Sequence, residues 1–526
     1  MGNRIYNVLF HMHTVSGLVI SVALFVIFFA GSLSFFRDDI IAWERDKSVA
    51  HGQQMNIDYD ALLDTLEARY GELYGRGINI RQSHQERNVM ISLDPSRDSL
   101  ASDRQLTRVF TYLDTETYAE ETYFSSYTLG EFLYRLHFFA QIPYPYGYFL
   151  SGFVAFFFLF AIITGVVVHW QKIVSNFYVF RPWAKLKTVW TDAHTALGLI
   201  GLPFQFVFAV SGAVLIIGTS VMLAPASSLI YDNDSGRMYR ELMDQPEPAD
   251  FLQSKLNNPV SLNPLIQKAK AFWGDANLSR VLIENYGDEN MRVILEGRPK
   301  TNQSFAGLGR VVFDGKGNQS TATKSSSLNY KVGADQTIRR LHFGDFGGYG
   351  LRVVYFAFGI ISCFVILSGV LIWVEARDKK SNAVWKRKSN QWIGHIFMAI
   401  SLTMYPITAM TFSMVKLFRD DSIATPHVWI YKVYFISWLL LSALFAIKQD
   451  NFFTTRYTLL MGSILGFLVP IVNGLVSGNW LWRTFNEPQL QIFVVDAFWL
   501  LTPLITLMIV LKMKKPSKNP ARKWTT

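Results

Sequence analysis

The tetrapeptide Arg-Leu-His-Phe stands at Arg135–Phe138 and again at Arg340–Phe343, each time after a polar stretch and ahead of a long apolar run. Repetition at that distance marks a duplicated unit, with each copy expected to open the membrane segment that follows it. A second pair of histidines fixes the register. His13-Thr14-x-x-Gly17-Leu18 returns as His194-Thr195-x-x-Gly198-Leu199, and Gly31 and Gly212 follow at matching distances. Four histidines thus occupy equivalent places in two copies of one unit.

Composition sets the class. Of 526 residues, 50% are hydrophobic, 15% aromatic and only 17% charged, and several apolar runs are long enough to cross a bilayer. A soluble enzyme is excluded. The net charge of +10 is gathered in short segments flanking apolar runs, Lys172 to Lys187, Arg377 to Lys388 and Lys512 to Lys523. These are the cytoplasmic anchors of the positive-inside rule rather than a nucleic-acid surface. The one cysteine, Cys363, lies inside an apolar run, which excludes a disulfide framework, a thiolate metal site and covalent haem attachment.

Hydropathy predicts eight spans, roughly 13–36, 146–170, 194–222, 348–374, 393–418, 428–447, 457–476 and 492–512. The alternation of basic and basic-poor segments puts both termini in the cytoplasm and two large loops outside. The first span resembles a signal peptide at Ala30-Gly31-Ser32, but its apolar run is too long and recurs as the third span, so it is read as retained. The outer segments read as two copies of a small α+β module. In the first, a helix over Tyr59 to Arg69 precedes strands at Ile78 to Ile80, Val89 to Leu93 and Arg108 to Leu113. In the second, a helix over Leu262 to Trp273 precedes strands at Ser279 to Glu284, Met291 to Leu295 and Arg310 to Phe313. The organisation expected is a first span in 1–36, module one in 37–136, the second and third spans in 137–222, module two in 223–341, the fourth span in 342–378 and a four-helix membrane extension in 379–526.

The chemistry lies in the histidines. His13 and His194 fall at the cytoplasmic starts of the first and third spans, His137 and His342 at the outer starts of the second and fourth. Two layers result, each with one histidine from each repeat, facing across a pseudo-twofold axis. Opposed imidazoles are what a bis-histidine haem requires, since iron takes a nitrogen from each side of the porphyrin plane. Two such haems would form an electron wire. Gly17, Gly31, Gly198 and Gly212 would leave room for flat macrocycles. The competing reading is that interfacial histidines are polar anchors and that a duplicated gene inherits non-functional residues in pairs.

Other residues carry less. His11 lies about 200° around a helix from His13 and matches Asp192 in the second repeat. His169 matches Trp373 and is a reserve ligand; His395 and His427 fall outside the duplicated pattern; His51 and His84 read as ordinary polar residues of the first module. Arg135 and Arg340 would neutralise haem propionates, attract an anionic substrate, or pair with lipid phosphate. Tyr144, Tyr146 and Tyr148 would guide a large ligand or form an interfacial belt. The glycine-rich Gly344–Gly350 follows no strand, so a nucleotide-binding reading fails.

Taken together, HxxxGL at His13 and His194, RLHF at His137 and His342, the pairs Thr164-Gly165, Ser211-Gly212 and Ser368-Gly369, and the two outer modules resemble the PepSY-associated transmembrane family over about residues 5–378. That family, often called iron-regulated membrane proteins, includes bacterial inner-membrane ferric-siderophore reductases. The resemblance implies a mainly α membrane protein in which a duplicated helical bundle carries two small α+β periplasmic PepSY-like modules. It further implies b-type haem, two per chain, on His13, His137, His194 and His342, and electron delivery from a cytoplasmic or quinol donor to a periplasmic ferric siderophore or other ferric chelate. The last four spans depart from the minimal family architecture, and would stabilise the core, bind quinol or dock a donor. Two other classes fit a PepSY-like membrane protein: a non-redox protein that binds or regulates a periplasmic protease, and a transporter. Parallel repeats with few buried charges in the candidate spans argue against the transporter.

Overall fold

The computed structural model describes residues 2–47, 55–82, 88–115, 117–173, 175, 181, 183–274, 276–300, 304–324, 326–327, 330–418, 425–487 and 489–514. His51, His84 and most of the basic stretch 512–523 lie outside them. The chain divides into two compact units: a helical one built from 1–48, 128–213 and 354–526, and a mixed one built from 49–127 and 214–353.

The helical unit is dominated by long apolar rods. Among the described residues eight helices are long and apolar enough to cross a membrane: Asn3–Ser34, Tyr146–His169, Lys187–Gly218, Gly348–Arg377, Val384–Leu417, Pro426–Lys448, Asn451–Ser477 and Leu490–Lys512. At 1.5 Å per residue each exceeds or approaches the roughly 30 Å hydrocarbon thickness. Several begin earlier than hydropathy predicts, because a helix does not stop where its apolar stretch stops. Helix α1 (Asn3–Ser34) starts ten residues before His13, so that histidine lies within the rod and not at its start.

The Arg-Leu-His-Phe motifs correct a second expectation. Neither opens a membrane span. The first closes a separate short helix, which begins with Thr128 accepting from the Glu131 amide and runs Leu129–Leu136, while the span begins only at Tyr146. The second closes a helix over Tyr330–Phe343, and the following span begins at Gly348. In chain order the helices used below are α1, α2 (Arg37–Glu44), α3 (Tyr59–Tyr70), α4 (Leu129–Leu136), α5 (Tyr146–His169), α6 (Leu186–Ala213), α7 (Ser235–Leu242), α8 (Leu262–Trp273), α9 (Tyr330–Phe343), α10 (Gly348–Arg377), α11 (Val384–Leu417), α12 (Pro426–Lys448), α13 (Asn451–Ser477) and α14 (Leu490–Lys512).

In the C-terminal extension α11 is central, packed against α12 and α13, with α13 against α14 and α14 against α2. Small residues permit the approach: a side chain at Gly462 would overlap the Tyr405 ring, and one at Gly466 would meet Trp499 at 3.0 Å. A buried polar cluster clamps this extension to α2. Trp43 donates its indole N–H to Asp496 (2.8 Å), Asn473 donates to the other Asp496 oxygen (2.8 Å), and Lys416 reaches Asp46 at 2.5 Å. Asp496, Trp43 and Asn473 are fully buried. Replacing Asp496 by Ala leaves the Trp43 N–H buried without this acceptor, an expected loss of about 1–3 kcal/mol. Asn at the same place keeps one carbonyl acceptor and should lose less. Thermal unfolding of the detergent-solubilised protein checks this, and equal losses for the two variants would show that the hydrogen bond contributes nothing.

In the mixed unit the sequence predicts two separate three-stranded modules, whereas the structure has one antiparallel sheet of eight strands. Its order is β4-β3-β2-β1-β5-β6-β7-β8, with β1 (Ile78–Gln82), β2 (Asn88–Leu93), β3 (Val109–Asp114), β4 (Glu120–Glu121), β5 (Asn277–Glu284), β6 (Arg292–Arg298), β7 (Gly309–Asp314) and β8 (Gln319–Thr323). The repeats join edge to edge through β1 and β5, with Ile78 opposite Ile283 and Ile80 opposite Val281. Those four side chains are fully buried, so joining covers two sheet edges and extends one apolar face. Period-two alternation sends Ile78, Ile80, Val89, Ile91, Val293 and Leu295 to the face covered by α3 and α8. The helix N-termini lock together: Asp60 of α3 accepts from the Leu262 amide (2.7 Å), and Asn263 of α8 accepts from the Tyr59 amide (3.0 Å). The short polar strands β4 and β8 escape prediction because neither carries an apolar alternation.

Candidate functional site

Three of the four predicted histidines lie in the helical unit, and each is seated in the same way. His13 of α1 lies against Gly165 of α5, where a Cβ would come within 3.0 Å of the ring, and its Nδ1 is 2.8 Å from the carbonyl of Ala161 one turn earlier. His194 of α6 lies against Gly369 of α10, where a Cβ would come within 3.2 Å, and its Nδ1 is 2.9 Å from the carbonyl of Val365 one turn earlier. Ser368 Oγ is a further neighbour of that nitrogen at 3.3 Å. His137, just past α4, lies against Gly31 of α1 with Nδ1 2.7 Å from the carbonyl of Ile27. In all three the spacing between carbonyl and glycine is one helical turn, so the Nδ1–Cε1 edge of the imidazole approaches a small residue while Nδ1 meets the carbonyl one turn earlier.

This geometry fixes the tautomer. A carbonyl only accepts, so Nδ1 carries the proton and Nε2 keeps its lone pair. Histidines that bind metals through Nε2 are held in this way, with Nδ1–H donated to a backbone carbonyl that orients the ring and raises the basicity of the other nitrogen. For His13 and His194, Nε2 has no hydrogen-bond partner among the described residues.

The two imidazoles also lie close together. Their ring centroids are 6.2 Å apart, with the planes inclined at 72°. Imidazoles that shared one metal ion through both Nε2 atoms, with bonds of about 2.0–2.1 Å, would have their rings at a similar spacing. Space opens beside the pair. Gly17 and Gly198 stand one turn beyond His13 and His194, and a Cβ at either would meet nothing within 4 Å. Both glycines leave this space open. Gly31 does not: a side chain there would overlap the His137 ring, so it is a histidine seat instead of cleared space. Gly165 and Gly369, visible in the sequence only as parts of recurring Thr-Gly and Ser-Gly pairs, are the seats of the facing pair.

The layers are separated along α1. His13 and the Gly31 seat of His137 are 18 residues apart on one helix, or about 27 Å. His342 ends α9 in the mixed unit. Of the weaker candidates, His169 ends α5 one turn past Gly165. His395 is not at the start of its span but within α11, where Nδ1 is 2.7 Å from Asn451 Oδ1. His11 is exposed on α1, and its counterpart Asp192 holds Arg181 through two contacts of 2.9 Å. Arg135 pairs with the buried Glu131 at 2.7 Å, and Arg37 also bonds that carboxylate, so part of the predicted anion-directed role is already met within the protein. Tyr144 and Tyr146 are exposed while Tyr148 packs on Phe138.

Fold and site together define a polytopic helical membrane protein in which the two repeats bring two oriented imidazoles, His13 and His194, close to one another. The chain belongs to the PepSY-associated TM region family, whose model matches residues 10–376. It is also similar to an uncharacterized protein of Pseudomonas aeruginosa, 25% identical over 240 residues that make up 42% of this chain. The match takes in 57% of that relative's length. The extension built from α11–α14 lies beyond the family match.

Proposed function

We propose that this chain is a b-type dihaem electron-transfer protein of a bacterial inner membrane that reduces a ferric siderophore or other ferric chelate on the periplasmic side. The observation that carries the reading is the His13–His194 pair: 6.2 Å between centroids, both Nδ1 atoms tied to carbonyls, both Nε2 atoms left for a ligand. In this reading His13 and His194 hold the inner haem, and His137 and His342 hold the outer one, by the equivalence of the repeats. When bound, haem supplies an iron that takes up and gives off one electron at a time.

The protein's own groups do the rest. The carbonyls of Ala161 and Val365 keep each Nδ1 protonated and so keep each Nε2 available in both oxidation states. Gly165 and Gly369 hold the rings close to the helix backbone, and Gly17 and Gly198 leave room beside them. His13 and the Gly31 seat of His137 lie about 27 Å apart along α1, close to the thickness of a hydrocarbon layer of about 30 Å, so groups held at the two places would stand near opposite faces. Reduction of the chelate lowers the charge on its iron and weakens its attraction to anionic oxygen ligands, which releases the metal.

Both termini are assigned to the cytoplasm and the mixed unit to the periplasm, following the distribution of basic residues. Cysteines at Ser99 and Ser320, introduced in a background lacking Cys363, are expected to react with a membrane-impermeant maleimide in intact spheroplasts. Labelling only after lysis would reverse the orientation. The reductase reading is tested by stopped-flow absorbance: a dithionite-reduced protein, freed of excess reductant and mixed with a ferric hydroxamate chelate, should reoxidise with ferrous iron formed in step. A haem spectrum that stays reduced with every ferric chelate tried would exclude this activity.

A further inference from the structure

His137 follows a helix too short to hold its own place. Helix α4 has eight residues, about 12 Å of rod, and isolated helices of that length are marginal in water. What lies against it therefore decides where the ring at its end arrives. The His137 end is fixed on α1, by Gly31 and the Ile27 carbonyl. The opposite end is fixed elsewhere. Glu44, the last residue of α2, accepts from the Leu129 amide at 2.6 Å, taking up one of the donors that a helix start leaves over. At Gly130 the two helices touch, since a Cβ there would come within 2.7 Å of the Arg37 carbonyl oxygen. Glu131 bonds Arg37 of α2 and Arg135 on the next turn of α4. Phe132, fully buried, packs on Tyr434, Tyr431 and Phe435 of α12, with ring centroids 4.8, 5.6 and 5.7 Å away.

Helix α2 is itself short, and seven of its eight residues are buried, so neighbours cover it on more than one side. The extension supplies several of them. Beyond the Trp43–Asp496 bond, the Trp43 ring packs on Phe412 of α11 at 5.4 Å and meets the Lys416 ammonium at 4.7 Å from its centre. Asn479, just past α13, donates at 2.9 Å to the Asp46 carboxylate that Lys416 also holds. A connected series thus runs from α11, α13 and α14 through Trp43 to Glu44, from Glu44 to Leu129, and along two turns to His137. A second and shorter one runs from α12 through Phe132. Apolar contacts alone would hold the extension in the bundle, whereas satisfied buried polar bonds rigidify one arrangement.

We propose that the C-terminal extension is the mount of the outer histidine: α11–α14 fix α2 and α4, and with them the position of His137. Trp43, Glu44, Phe132 and Asp496 are positioning residues that act through His137. The inference rests on the reading of His137 as an outer haem ligand. The inner pair has its seats on α5 and α10, which take no part in this series.

Backbone hydrogen exchange, followed by mass spectrometry on the full-length detergent-solubilised protein with and without haem, tests the mount. In Glu44→Ala and in Trp43→Phe, residues 129–138 should exchange about tenfold faster than in wild type, while α6, which carries His194, keeps its rate. Glu44→Gln keeps a side-chain oxygen for the Leu129 amide and should stay within about twofold of wild type. With haem bound, the first two variants should shift the low-spin resonance of the outer haem and leave that of the inner haem in place. Unchanged exchange at 129–138 in both, equal acceleration of α6, or resonances that both move or both stay would overturn the proposal. A wild type that binds no haem would refute the haem reading instead, and the exchange rates would then decide alone whether the extension fixes His137.

Discussion

Replacing His194 by alanine is expected to remove one of two haem signals and leave the other. Haem content should fall from about two per chain to about one, with the remaining reduced α band assigned to the outer pair. The same loss is expected for His13→Ala, because the two imidazoles, 6.2 Å apart between centroids, are proposed to hold the same haem. His137→Ala and His342→Ala should together define the other signal. Optical and low-temperature spectra of the four variants check the assignment. Two variants of one pair that disturb different haems would reject the pairing, and four variants that all abolish both signals would show a single coupled site.

A second large effect is expected from filling the space instead of removing the ligand. Gly17→Leu combined with Gly198→Leu places two branched side chains where a Cβ meets nothing within 4 Å. No protein atom lies within 4 Å of either Cβ, and leucine ranks well above glycine as a helix former, glycine being about 0.8–1 kcal/mol less favourable than alanine. Thermal stability in detergent should therefore not fall. Haem binding at the His13–His194 pair should nonetheless be lost, although both histidines and both carbonyl acceptors remain. Haem content near wild type in this double variant would show that the open space beside the pair is not where the macrocycle goes.

The control is Gly165→Leu. There the side chain meets the His13 ring at 3.0 Å from Cβ alone, so the imidazole must move and the site is lost through its ligand. The contrast separates a residue that makes room for a ligand from one that seats a histidine. Sequence reasoning could not make that distinction. All the glycines stand at repeat-equivalent places, and only the helix against which each histidine lies decides their parts.

What the sequence discloses follows the same line. Periodicities internal to one element are legible: the eight apolar rods, the helix over Leu262–Trp273, and the alternation in β1–β3 and β5–β7. The partnering of histidines by repeat was legible too for His13 and His194, since duplication places equivalent residues about an axis. Relations between elements were not. The β1–β5 seam joins strands that are almost two hundred residues apart, and no turn chemistry announces it. Hydropathy places the starts of the following spans at 146 and 348, but it does not show that each Arg-Leu-His-Phe closes a short helix of its own. The clamp of Asp496 on Trp43 was invisible because a lone aspartate in an apolar run says nothing of its partner.

The most direct measurement is a pyridine haemochrome determination on the purified full-length protein, produced in cells with ample haem supply, set against protein concentration by amino-acid analysis. Two b-type haems per chain are expected, both reducible by dithionite and both with the low-spin spectrum of paired imidazoles. A colourless protein with no haem would contradict the assignment of the His13–His194 pair and leave its geometry to be explained by helix packing alone.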